Sequence, residues 1–111
     1  MTWEYPKSQS EIENFLTYSG QSPIVLFKHS YTCSISQVAK SRMDTWIGKN
    51  TMRKALIDVR EDRPLSQYIA TRFNIQHESP QILVIYKDAC VYNASHFEIK
   101  PSEIDAVTSQ L

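Results

Sequence analysis

Glycine is the first shortage. The chain has only two in 111 residues. Few positions therefore favour unusual backbone dihedrals, and no glycine-rich phosphate loop can be built. That removes most nucleotide-binding readings. Cysteine is as scarce, with Cys33 and Cys90 the only pair. Two thiols in a cytoplasmic chain do not make a structural disulfide framework. Net charge is zero, from 12 basic and 12 acidic side chains. Nothing electrostatic argues for nucleic acid or an anionic membrane. No secretory pattern opens the chain, and no apolar run approaches a membrane span. The expectation is one cytoplasmic domain over residues 1–111, large enough to bury a core, with neither nucleic acid nor membrane as partner.

What is present is organised around residues 26–39, where an apolar run stops, a polar loop follows and Cys33 opens a helical pattern. A sulfur at a helix start faces unsatisfied N–H groups and the positive end of the helix dipole, which favour thiolate over thiol. Along the chain, Trp3-Glu4-Tyr5 reads as a short edge strand. Ser8 to Glu11 reads as a capping box for a helix over 8–19, stopped by Gly20. Ile24 to Phe27 is a buried strand. Ile35, Val38, Ala39, Met43, Trp46 and Ile47 give the inner face of a helix over 33–47 that ends near Gly48. Ala55 to Val59 is a strand, and Leu65, Tyr68, Ile69 and Phe73 form a helical face. The run Ile82 to Tyr86 and the segment Cys90 to Ala94 pair as a hairpin. Pro101 starts a last helix with Ile104, Val107 and Leu111 inward. Strands alternating with helices predict a parallel sheet with right-handed crossovers and an antiparallel hairpin edge.

This order, a cysteine opening the second helix and a proline before the next-to-last strand resemble the thioredoxin fold. Narrower matches are Phe27-Lys28-His29-Ser30, Thr32-Cys33-Ser34-Ile35-Ser36, His77-Glu78-Ser79-Pro80-Gln81 and Asn93-Ala94-Ser95-His96. They resemble the YtxJ-type monothiol bacilliredoxins of bacillithiol-using bacteria, over nearly the whole chain and in the family's order. The resemblance implies an α/β, thioredoxin-like fold: a central mixed sheet of four to five strands, about four helices, and a cis peptide at Pro80. One departure stands beside the nucleophile. The family usually has proline after the cysteine, and here Ser34 keeps an N–H and adds a hydroxyl.

The position three after Cys33 is Ser36, so the resolving cysteine of a dithiol oxidoreductase is absent from that turn. A monothiol mechanism fits: Cys33 takes a small thiol from a protein mixed disulfide and yields it to another small thiol. The resemblance makes Cys33 the catalytic residue. The co-substrate is bacillithiol or another small thiol, no cofactor is bound, and the partners are S-thiolated cytoplasmic proteins. Thr32, Ser34, Ser36 and His29 are candidates to support the thiolate. Ser36 and Thr32 serve equally well as helix-start side chains that satisfy backbone N–H groups. His29, which ends the strand before the loop, would favour the thiolate if protonated, or is simply solvated. Tyr31 is a candidate wall for the substrate. In the resembling fold a cis bond at Pro80 offers the backbone of Ser79 to an extended substrate. His77 and Glu78 either contact the charged small thiol or belong to a solvated loop, and His96 either binds a carboxylate or holds the loop.

Cys90 reads as a structural strand residue rather than a distal resolving thiol. The cysteines and histidines have no compact metal-ligand spacing, so no metal site is expected. A phosphatase or arsenate-reductase loop needs arginine six residues after the cysteine, where Ala39 stands. The upstream proline of a peroxiredoxin is missing. Cys-Ser-Ile-Ser replaces the Cys-Gly-Phe-Ser of cluster-carrying glutaredoxins. The non-enzymatic alternative is a thioredoxin-fold sensor or binding module modified at Cys33.

Overall fold

The computed structural model describes residues 3–47 and 52–111, with the side chain of Ile47 excepted. Helix α1 (Gln9–Leu16) starts where Ser8 Oγ accepts the Glu11 N–H at 3.1 Å. Glu11 answers by accepting the Lys7 N–H at 2.7 Å. The expected capping box therefore forms, reaching one residue beyond Ser8. The helix is shorter than the predicted 8–19, because residues Thr17–Gly20 tighten into a 3-10 turn.

Four strands follow in space as β2-β1-β3-β4: β1 (Ile24–His29), β2 (Lys54–Asp58), β3 (Gln81–Tyr86) and β4 (Ala89–Ser95). Helices α2 (Ser34–Ile47), α3 (Arg63–Phe73) and α4 (Pro101–Thr108) complete the layers. Strand β1 is buried on both faces, as its unbroken apolar start predicts. Its alternate residues serve two cores. Ile24 and Leu26 pack with Ile12, Phe15 and Leu16 of α1 and Leu65 and Ile69 of α3. Val25 and Phe27 pack with Ala39, Met43 and Trp46 of α2 and Ile104 of α4.

Several expectations are corrected. Only β1 and β2 run parallel; β3 is antiparallel to β1, Gln81 facing Lys28 and Ile85 facing Ile24. A strand–helix–strand pattern does not encode which end the chain re-enters. After α3, a left-handed Asn74 (φ 54°) stops the helix, and residues 75–80 carry the chain to the far end of β1 before β3 begins. The predicted edge strand at 3–5 reduces to a single parallel bridge between Glu4 and Ala55. Val38 and Leu111, expected inward, are 43% and 48% exposed. Residues 34–47 are helical, and the expected stop at Gly48 lies outside the described residues. The hairpin turn has Lys87 and Asp88 at φ 51° and 63°, the doubly left-handed geometry of a two-residue loop. No helix among the described residues is long and apolar enough to cross a membrane.

Candidate active site

Cys33 stands between the buried end of β1 and the first turn of α2. Its N–H donates to Ser30 O at 3.2 Å, and its carbonyl accepts the Gln37 N–H at 3.0 Å. That is the N-cap position, although cysteine is a poor cap by side chain. The sulfur is a free thiol and partly exposed. The first-turn N–H groups of α2 lack intrahelical partners and present positive dipole at this end.

The loop around Cys33 is fastened by Ser36. This serine is wholly buried. Its Oγ accepts the Ser30 N–H at 2.9 Å and lies 2.7 Å from Nδ1 of His29. The residue at the position of a second cysteine therefore ties the strand end to the helix. Of its two readings from sequence, satisfying a backbone N–H is the one the geometry supplies.

His29 is corrected more sharply. It ends β1, as expected from the sequence, but it is fully buried rather than solvated. Its ring stacks on Phe27 at 5.4 Å and meets Tyr31 edge-on at 4.3 Å. Burial first, then the Lys40 charge, lowers its pKa, with Asp58 and Asp44 opposing. The neutral ring is favoured, so a protonated His29 is not the support for the thiolate. Its Nε2 is a buried atom without a hydrogen-bond partner.

Thr32 is exposed and accepts a hydrogen bond from Arg60 Nη1 at 3.0 Å. Arg60, from the turn after β2, brings a cation to the cysteine loop that sequence reading passed over as part of a charged turn. Ser34 is exposed as the first residue of α2. Tyr31, 48% exposed, borders a groove of about 560 Å³ with His29, Gln37, Lys40, Ser41, Asp44 and Thr45.

The second loop contains the Ser79–Pro80 peptide, which is cis, as the resemblance implied. Pro80 is buried, and its carbonyl accepts the N–H of His96 at 3.0 Å. His96 itself has φ 56°, and its Nε2 lies 3.6 Å from Glu78 Oε1. These contacts gather Glu78, Pro80 and His96 into one cluster, with Ser79 between Glu78 and Pro80 in the chain. Ser79 Oγ is buried without a partner. His77 Nδ1 lies 3.1 Å from Nζ of Lys28. Burial, chiefly, lowers the His77 pKa, with Lys28 acting in the same direction.

Two residues of this loop's support were missed from sequence, Lys28 and Gln81. Both are buried, and they face each other across β1 and β3. Gln81 Nε2 donates to Gln76 O at 3.0 Å, and its Oε1 accepts the Glu78 N–H at 3.4 Å. The available signal was a lysine directly after a strand's apolar run, where a charge needs a reason.

Cys90 is remote from Cys33 by topology. It packs in the core beside α1 and α3, on the sheet face opposite α2. In register it aligns through Ile85 with Ile24, at the start of β1, whereas Cys33 lies beyond the end of that strand. At roughly 3.3 Å per residue, β1 alone separates the thiols by about 16 Å, beyond disulfide reach. Burial pushes the Cys90 thiol's pKa up, and its Sγ donates to Tyr92 O at 3.3 Å. Among the described residues no acidic, histidine and cysteine side chains group as metal ligands.

Comparison with known proteins agrees with this geometry. The family model described as monothiol bacilliredoxin BrxC matches residues 6–104. A solved structure described as a candidate oxidoreductase with a thioredoxin fold is 28% identical, with TM-score 0.85 over 93% of this chain and 90% of its own. Thioredoxin from Fasciola hepatica superposes with TM-score 0.75 at 11% identity, covering 96% of this chain and 97% of that one. Thioredoxin NaTrxh from Nicotiana alata gives 0.74 at 17%, covering 96% and 89%. The last two likenesses establish the fold alone.

Proposed function

We propose, from the premise that the chain belongs to the monothiol bacilliredoxin BrxC family, that Cys33 removes bacillithiol from cytoplasmic proteins. The coarser statement, a thiol oxidoreductase on a thioredoxin fold, follows from the family and the structural neighbour. The finer one rests on a single observation. Cys33 caps α2 alone, with buried Ser36 in the position of a second thiol and Cys90 at the other end and face of the sheet.

The Cys33 thiolate attacks the small-thiol sulfur of a protein–S–S–R adduct. The S–S bond breaks, the protein sulfur leaves with the electron pair and takes a proton, and Cys33–S–S–R forms. A second small thiolate, R–S⁻, then attacks the R sulfur. It releases the Cys33 thiolate and leaves R–S–S–R. No resident cofactor is needed, because the co-substrate thiol supplies the reducing electrons. The first-turn N–H groups of α2 complement negative charge on the sulfur in both steps. Ser79 offers backbone groups to an extended substrate. His77, Glu78 and His96 meet the charged groups of bacillithiol, and Tyr31 flanks its apolar part.

The test follows mass. Purified protein is incubated with a bacillithiol-modified substrate protein, and both masses are read over time. The adduct should move to Cys33, fail to move in Cys33→Ala, and still move in Cys90→Ala. Absence of transfer in the unmodified chain would sink the proposal. A stable Cys33 adduct that excess bacillithiol does not release would make the protein a sensor instead.

A further inference from the structure

Lys28 is a buried charge that the exchange reaction does not use. It sits in β1 between Phe27 and His29, wholly buried, on the face shared with α1 and α3. Among the described residues no ion pair joins it to a carboxylate. Its hydrogen-bond contact is His77 Nδ1 at 3.1 Å. A charge so desolvated is paired or hydrogen-bonded, or shifts toward its neutral form.

The chemistry of the pair assigns its protons. Below its folded pKa of about 8 Lys28 is an ammonium, which only donates, so His77 Nδ1 accepts and the proton of the neutral ring lies on Nε2. Nε2 points away from Lys28. His77 itself is only partly buried. The charged groups around the ring are Lys28 and Arg63, which disfavour a second proton, and Glu78, which favours one. The same loop is strapped from below a second time. Gln81, the register partner of Lys28, holds Gln76 O and the Glu78 N–H. Two buried side chains on adjacent strands thus rise to one loop, the loop that leads into Pro80.

We propose that Lys28 is a positioning residue that sets substrate preference: it locks His77 in the Nε2–H form and directs that donor toward a carboxylate of the small thiol. The carboxylate rests on the functional reading above; the ring state does not. Lys28 touches neither the sulfur nor the substrate. Its action passes through one imidazole.

The experiment has two arms. Nitrogen-15 NMR of the three histidines reads which ring nitrogen carries the proton. His77 should show the Nε2–H form in the wild type, and lose it in Lys28→Met. Transfer kinetics then compare a bacillithiol-modified protein with the same protein modified by cysteamine, which has no carboxylate. Lys28→Met should raise KM for the bacillithiol adduct about tenfold, the weight of one charge-assisted hydrogen bond, with kcat little changed. KM for the cysteamine adduct should not move. Equal losses on both adducts, or an unchanged His77 signal, would overturn the assignment. If Lys28→Met folds poorly, His77→Leu carries the kinetic arm from a partly exposed position, with the same expected split. A wild type that transfers neither adduct fails the functional reading instead, and the ring signal still accepts or rejects the role of Lys28.

Discussion

The two loops that make up the candidate site are held by opposite kinds of contact. The cysteine loop is fastened by its own neighbourhood. Ser36 reaches back to Ser30 and His29, and Cys33 itself bonds Ser30 and Gln37. The proline loop is fastened from afar. Lys28 holds His77 across 49 positions, and the His96 N–H holds the Pro80 carbonyl across the end of β4. The first bracket is buried and forms whenever β1 meets α2. The second exists only once β1, β3 and β4 are in register. The nucleophile is thus built into a local unit, while the surface that would receive the substrate depends on the whole sheet.

This contrast can be broken at its most costly point, Lys28. Burial lowers the folded ammonium to about 8, while the unfolded chain keeps the ordinary value of 10.5. Between those values the unfolded state binds more protons, so stability rises with pH across that window. The full separation corresponds to roughly 3 kcal/mol. Lys54 is shifted in the same direction and to about the same value, so Lys28→Met should remove part of the rise and leave part. Urea unfolding at pH 7.5 and at pH 10 measures it. At the lower pH the variant should be as stable as the wild type or more so, because a buried charge has gone. A variant destabilised equally at both values would show that Lys28 costs the fold nothing.

A smaller effect separates the two brackets. Ser36→Ala strips a partner from the buried His29 Nδ1 and from the partly buried Ser30 N–H, and should cost about 2 kcal/mol. Gln81→Leu frees Gln76 O and the Glu78 N–H in a loop that water reaches, and should cost only about 1 kcal/mol. Amide exchange sharpens the point. Gln81→Leu should speed exchange at Glu78 and leave the first turn of α2 protected, whereas Ser36→Ala should do the reverse. Faster exchange in both loops from either change would mean that the brackets are one unit.

The cysteine loop was largely legible in the sequence because its contacts are short in range. An apolar run, a polar break and Cys33 before a helical repeat are features of neighbouring residues. The hydrogen bond between Ser36 and Ser30 spans one helical turn and a loop. His29 was placed correctly at the strand end but expected in solvent, because a polar residue before a loop carries no local sign of burial. Only the packing of Phe27 and Tyr31 around its ring shows that the side chain is enclosed. Val38 was misread for the converse reason, since spacing alone makes the apolar stripe of α2 wider than the surface it covers.

By itself the sequence determined the element order, the solitary thiol at a helix start and the absence of a second thiol within a turn. Each depends on residues a few positions apart, where periodicity and capping act directly. Tertiary structure alone decided the antiparallel entry of β3, the burial of Lys28 beneath His77, and the distance of Cys90 from Cys33. Those depend on which strand lies beside which and in what register, and burial and desolvation exist only after that assembly has excluded water.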